Sequence, residues 1–406
     1  MNKLKVLALS YLFPNPVQPT HGIFVYNRLQ ALSKKVEIKV VNPIPWSPLH
    51  RHIPQYQDLD KIPYKTQLGN LEVFHPRFFS IPKYFKSIEA ASYRIAINKV
   101  LENDLKQFDF DLLDLHWTYP DLPAGATLSA KTGKPFMCTL RGLEAFHTYD
   151  SGLRKRIIRN NLVRAHKVIA LSEELKQKGI ELGVSEDKIR VIRNGVDTKQ
   201  FGYLKMNDAR GEIGLSKQGK VIVTVGSLIR RKGFDLIIRS LPKVIEKTKH
   251  SDIKLYIIGT EGPEGDYRST LYKIIESLNL QKNVIFQGHV PNEDLKYWYN
   301  SADAFCLASR GEGSPNVLTE AIACGCPAVA TDVGAVREIM ESEKNLGLCV
   351  ENENVQSLGD ALSDILMGNF DREKSAKNYT RYDWDWCANS TFRAYQEVLT
   401  RQKKER

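Results

Sequence analysis

Two glutamates, Glu312 and Glu320, bracket the stretch Ser309-Arg-Gly-Glu-Gly-Ser-Pro-Asn-Val-Leu-Thr-Glu320, whose residue types suit an anion flanked by hydroxyl groups. Pro315 fits the first turn of a helix with Ser314 as its cap, which puts Glu312 just outside and Glu320 inside. Together with Gly313, the amides of Asn316 and Val317 then face outward. A helix start with small residues binds a diphosphate through free N–H groups and the positive end of the dipole. Glu312, which only accepts hydrogen bonds when ionised, would repel that diphosphate and suits sugar hydroxyls instead. Glu320, within ~12 Å at helical rise, can take a ribose diol. A capped surface helix with two solvated carboxylates is the plain alternative.

A second constellation, Val225-Gly226-Ser227-Leu-Ile-Arg230-Arg231-Lys232-Gly233, follows a β-branched run. Its glycines permit close backbone approach, and Lys232 is placed to neutralise charge building on a departing phosphate. In the first half, Pro19-Thr20-His21-Gly22 follows the opening strand, so Gly22 offers a second approach to phosphate. His116 ends another strand at the edge where ligands bind. Asp109/Asp111 and Asp383/Asp385 resemble a metal-binding DxD, but both lie before or within surface helices away from these motifs, so no metal is expected.

These motifs need strands and helices to hold them. Apolar runs recur at Lys5 to Leu9, Val36 to Val41, Leu112 to His116, Phe136 to Leu140, Val168 to Leu171 and Ile189 to Ile192. A second series follows at Val221 to Val225, Lys254 to Ile258, Val284 to Phe286, Ala304 to Leu307, Ala328 to Ala330 and Leu348 to Val350. Helix-length segments separate most of them, which predicts two doubly wound parallel sheets with ligands beyond their carboxyl edges. The turn Asn194-Gly195-Val196-Asp197 and the polar stretch Lys205 to Lys220 set domains of 1–197 and 198–380, with a final helix from 381–406. Residues 43 to 82 hold seven prolines and read as a long irregular excursion.

Composition bounds the class. The chain has 406 residues with 42% hydrophobic and 26% charged, values of an ordinary globular protein large enough for two domains. Six cysteines without ligand spacing suggest reduced, buried thiols. The apolar run at Met1 to Leu12 is too short for a signal peptide, and no run reaches the ~18 residues of a spanning helix, so a cytoplasmic location is expected. Net charge is +11, of which residues 1 to 198 carry +10, with 29 Lys and Arg against 19 Asp and Glu. Such a half should meet an anionic membrane surface or a phosphorylated acceptor; no nucleic-acid motif accompanies the charge.

Nearly end to end, the sequence resembles the retaining glycosyltransferases of family four, or group one. The resemblance rests on EGSPN, EAIACGCPAV and TDVGAVRE between Glu312 and Glu338, on Val191-Ile-Arg-Asn-Gly-Val-Asp197 through Phe201, and on Tyr11 to Leu32, which is similar to the opening of polysaccharide-building members. It implies a GT-B fold: two Rossmann-like domains facing across a cleft, with the C-terminal helix returning to the first. It also implies that Glu320 binds ribose, that Glu312, Asn316 and Val317 hold sugar and diphosphate, and that Lys232 contacts the distal phosphate without metal. The donor would be a UDP- or GDP-sugar, with no further cofactor, and the acceptor a glycan or lipid-linked chain in surface-polysaccharide synthesis. Two positions depart from the pattern. Ser227 stands where an arginine is usual, so Arg230 or Arg231 would substitute. Arg141-Gly142-Leu143-Glu144 stands where the family has HGxD, so Arg141 either recognises a donor carboxylate or pairs with Glu144. A catalytically silent sugar-nucleotide binder, and an epimerase or hydrolase on the same scaffold, are the alternative functions.

Overall fold

In the computed structural model, residues 3–53, 56, 58–81, 89–142, 152–262 and 265–405 are described. The chain divides into two compact units, Met1–Asn194 with Trp384–Arg406, and Gly195–Asp383.

Among the described residues the first unit contains strands β1 (Lys5–Leu9), β2 (Glu37–Val41), β3 (Ile44–Trp46), β4 (Lys65–Leu68), β5 (Leu71–Phe74), β6 (Arg77–Phe79), β7 (Leu112–Leu115), β8 (Phe136–Leu140), β9 (Lys167–Ala170) and β10 (Ile189–Val191). Eight form one sheet in the order β10-β9-β8-β7-β1-β2-β5-β4, parallel throughout except for the β4–β5 hairpin. Strand order reverses between β1 and β7, which makes their carboxyl ends the topological switch point. Leu7, Leu9, Leu113 and Leu115 bury one face of the sheet, and Val6, Ala8 and Leu112 the other. Such strands are apolar on both faces because helices cover both.

The segment 43–82 is not the irregular excursion its prolines suggest: it holds β3 to β6. Pro43 and Pro76 interrupt the chain where β2 and β5 leave the sheet, and β3 and β6 then pair with each other beyond it. Proline cannot donate to a ladder, so it marks these breaks and does not abolish the strands. The last helix, Trp384–Glu405, belongs to the first unit. Cys387, Ala388, Tyr395 and Val398 are buried with Val25 and Leu29 of the Ile23–Leu32 helix, and Trp384 and Trp386 pack partly buried beside them.

The second unit contains β11 (Val221–Val225), β12 (Lys254–Ile258), β13 (Val284–Gly288), β14 (Ala304–Leu307), β15 (Ala328–Thr331) and β16 (Gly347–Val350), in the order β13-β12-β11-β14-β15-β16 and all parallel. Here the order reverses between β11 and β14. The polar segment 205–220 is also more ordered than its composition implies. It carries the Met206–Glu212 helix, whose Arg210 is 2% exposed. Arg210 meets Asp303 Oδ2 at 2.8 Å and donates to the carbonyls of Ser216, Lys217, Gly219 and Ser301. One saturated guanidinium replaces the apolar stripe that sequence periodicity would detect. Among the described residues no helix is long and apolar enough to cross a membrane.

Candidate active site

Both candidate loops of the second unit leave its switch point. Gly226 follows β11 and leads to the Arg230–Lys232 turn and the Phe234–Thr248 helix. Ala308 follows β14 and leads through Ser309 to Pro315 into the Asn316–Ala323 helix. Two left-handed glycines let backbones converge there. At Gly233, with φ 66°, a Cβ would fall 1.8 Å from the Ala308 carbonyl oxygen; at Gly334, with φ 56°, it would fall 2.4 Å from that of Glu312. Only glycine satisfies both the φ and the space.

Lys232 Nζ reaches Glu312 Oε1 at 2.6 Å, and Ser309 Oγ donates to the same oxygen at 2.7 Å. Arg231 donates to the Gly311 carbonyl and lies 3.9 Å from Glu312 Oε2. Burial pushes the Glu312 carboxyl up, but Lys232, Ser309 and Arg231 outweigh it and leave it below its ordinary value. Glu312 is therefore ionised at neutral pH. The stem of Lys232 runs past Gly226 in van der Waals range, 3.4 Å from where a Cβ would stand there. Ser227 is partly exposed beside it, and its carbonyl accepts from Ile229.

The helix start differs from expectation in one detail. The helix begins at Asn316, Pro315 is its cap residue, and no side chain caps it. The hydroxyl of Ser314 is buried without a partner among the described residues. Pro315 has an extended ψ of 105°, so the helical turn starts one residue later. The amides of Leu318 and Thr319 turn back to the Pro315 carbonyl. Gly313 accepts from the Ala335 amide at 2.9 Å, which holds its carbonyl away from the helix start. Glu320, one face further along, is partly buried and accepts from Tyr299 Oη at 3.0 Å. Burial raises its carboxyl to about 7, the tyrosine hydroxyl offsetting only part of the effect.

One residue escaped the sequence reading. Arg310 makes a two-pronged contact with Asp235 at 2.9 and 2.8 Å, and it also donates to Glu353 and the Arg230 carbonyl. Its own amide donates to the Arg231 carbonyl at 2.7 Å. Arg310 thus ties the two loops together behind Lys232 and Glu312. A lone arginine among loop glycines gave no local signal for a partner 75 residues away.

In the first unit, Gly22 has φ 67° and caps the Ile23–Leu32 helix, where a Cβ would fall 2.4 Å from the Leu12 carbonyl oxygen. His116 lies at the other side of that sheet's switch point, fully buried, and its amide donates to the Leu9 carbonyl. Arg141 is 6% exposed, with its guanidinium 5.2 Å above the Phe24 ring. Its Nη2 donates to His116 Nδ1 at 2.6 Å and its Nε to the His116 carbonyl at 3.1 Å. Arginine only donates, so the ring carries its proton on Nε2, which faces Asp114 Oδ2 at 3.1 Å. Tyr395 Oη closes the chain on Asp114 at 2.5 Å. Arg141 therefore has an internal partner that sequence spacing did not show; Glu144 lies outside the described residues. The aspartate pairs are engaged elsewhere: Asp109 meets Lys134, Asp111 accepts the Lys5 amide and Asp385 meets Lys34.

Comparison with known proteins matches this division. The family model described as Glycosyl transferases group 1 matches residues 205–382, and that described as Glycosyltransferase Family 4 matches residues 21–200. The chain is 28% identical over 368 residues to TuaC of Bacillus subtilis (strain 168), described as a teichuronic acid biosynthesis glycosyltransferase, covering 89% of this chain and 88% of that protein. Among solved structures, sucrose-phosphate synthase from Thermosynechococcus elongatus superposes with a TM-score of 0.79 at 18% identity, covering 98% of this chain and 100% of the other. Anabaena HepE in complex with UDP and glucose gives 0.73 at 19% identity, covering 97% and 100%. At such identities these two speak to the fold, which is GT-B. With one matching model on each unit, together reaching from residue 21 to residue 382, this chain belongs to the group-one, family-four glycosyltransferases.

Proposed function

We propose that the protein moves a hexose from a UDP- or GDP-sugar onto a lipid-linked or polysaccharide acceptor in cell-surface glycan synthesis, with retention of configuration and without a metal. The observation that carries this is the Lys232–Glu312 pair, 2.6 Å apart at the second unit's switch point beside an uncapped helix start. In this scheme the diphosphate takes the amides of Asn316 and Val317 and the ammonium of Lys232, Glu312 receives sugar hydroxyls, and Glu320 receives the ribose diol. The bond from the anomeric carbon to the diphosphate oxygen breaks, and its electron pair leaves with the diphosphate. The acceptor oxygen attacks from the same face, and its proton passes to a phosphate oxygen.

The similarity to TuaC supports the surface-glycan role, and the UDP and glucose bound by HepE support a uridine donor. The +10 charge on residues 1 to 198 supports work against an anionic membrane face.

The test is nucleotide release by the purified protein from a panel of UDP- and GDP-sugars, with and without acceptor and chelator. Release from one donor class that accelerates with acceptor is expected. Binding with no release from any donor points to a silent binder, and products formed equally without acceptor point to an epimerase or hydrolase. Sensitivity to chelator would return the aspartate pairs to consideration.

A further inference from the structure

β2 and β5 do not end their pairing at the carboxyl edge of the first sheet. Beyond Pro43 and Pro76 the two chains meet again as β3 and β6, with Ile44 opposite Arg77, Pro45 opposite Phe78 and Trp46 opposite Phe79. The inner apolar residues are covered: Ile44 is 3% and Phe78 2% exposed. The last pair is not, since Trp46 is 46% and Phe79 51% exposed, and Leu49 three residues on is 52% exposed. Their backbones are nonetheless fixed. Ser80 N donates to the Trp46 carbonyl at 3.0 Å, and Ser92 Oγ to that of Phe79 at 2.6 Å. A rigid ladder that ends in half-exposed aromatics marks an interaction surface.

The charge of a second element at the same edge selects the partner. The helices Glu89–Asn103, Asp121–Thr132 and Gly152–Leu162 pack side by side, the first against β6. A crossover helix starts at the carboxyl edge of the strand before it, so Gly152–Leu162 begins at the edge from which Trp46 and Phe79 project. Residues 151 to 172 contain six Lys and Arg and no Asp or Glu. Lys155, Arg156 and Arg159 are exposed, and Leu153 is 55% exposed. Leucines give a sugar ring no flat face to stack on, whereas leucine, tryptophan and phenylalanine at one edge with clustered cations match acyl chains beneath anionic headgroups.

We propose that Trp46, Leu49 and Phe79 are an insertion edge for an anionic lipid bilayer, with Lys155 and Arg156 meeting the lipid phosphates. This rests on the membrane-face part of the proposed function and gives it a location. The experiment is flotation of the full chain with vesicles of phosphatidylcholine and phosphatidylglycerol, three to one, and of phosphatidylcholine alone. Binding to the anionic vesicles, weakened about tenfold or more by Trp46→Ser with Phe79→Ser and likewise by Lys155→Glu with Arg156→Glu, is expected. Brominated lipid should quench a part of the tryptophan emission that Trp46→Phe removes while binding persists. The proposal is overturned if the serine variant floats like the parent, if bromine leaves the emission unchanged, or if the serine variant instead abolishes a dimer or binding to a soluble glycan. Melting and UDP-glucose turnover run on the same preparations separate these outcomes from misfolding and from failure of the transferase function itself.

Discussion

Lys232 and Glu312 stand 2.6 Å apart, on loops that leave β11 and β14 on opposite sides of the strand-order reversal. A phosphate oxygen arriving at Lys232 must share the ammonium with Glu312, so the two residues are expected to act as a unit. Lys232→Met should lower donor turnover about 100- to 1,000-fold, the magnitude typical of losing one charge-stabilising donor. Glu312→Gln should chiefly lower turnover of the intact sugar donor while leaving UDP affinity within a few-fold. The double variant should lose less than the sum of the two, by ~1–3 kcal/mol. Additive losses in steady-state kinetics would show that the pair is not one catalytic unit.

Glu320 supplies a pH signature. Its carboxyl is raised from 4.5 to about 7, so the neutral acid is favoured by folding. The sign follows from linkage. The stability Glu320 contributes is fully present below its unfolded value near 4.5 and is lost as pH rises through about 7. Donor binding works the other way, because a ribose diol that donates to the carboxylate favours its ionised form. UDP affinity should therefore rise up to about tenfold between pH 6 and pH 8, with a proton released on binding. Calorimetry in buffers of different ionisation enthalpy would measure that release. Glu320→Gln should flatten both dependences, and a pH slope that survives in it would move the effect to another group.

Most of what positions these groups is written in short apolar runs, because a parallel strand covered on both faces must be continuously apolar. Leu7, Leu9, Val223 and Phe305 announce their strands for that reason, and glycines such as Gly233 announce where backbones cross. β3 to β6 were hidden by prolines, Pro43 and Pro76 at breaks between strands and Pro45 inside β3, and the Met206–Glu212 helix by having Arg210 in place of an apolar stripe. Partnerships over long separations leave no such trace. Nothing around Arg310 points to Asp235, and nothing around Arg141 points to His116.

Arg310 should behave as a positioning residue. Its fork onto Asp235 is partly buried and bidentate, the geometry in which lysine cannot replace arginine. Arg310→Ala should lower unfolding free energy by ~2 kcal/mol and raise the KM for donor. Arg310→Lys should recover part of the stability but not the KM, because one ammonium cannot hold Asp235 and the Arg230 carbonyl in the same plane. Denaturant melts read beside donor saturation curves would separate the two effects. Full recovery by lysine would reduce Arg310 to a simple charge.

Arg141 decides between two readings of its place in the sequence. Two of its nitrogens are spent on His116, while Nη1 is buried without a partner among the described residues. That one nitrogen is what the side chain can offer to a substrate oxygen, and a guanidinium prefers an anionic one. If the donor carries a C6 carboxylate, UDP-glucuronate should turn over faster than UDP-glucose, and Arg141→Ala should remove the difference. Arg141→Ala also frees His116 Nδ1, so His116 becomes easier to protonate than in the parent, where burial and the nearby Arg141 and Arg28 charges outweigh Asp114 and hold its pKa below the ordinary value. A new inflection should then enter the pH–rate profile on its acid side. Preference for UDP-glucose that persists unchanged in Arg141→Ala, with no such inflection, would leave Arg141 as a buried strut between His116 and Phe24.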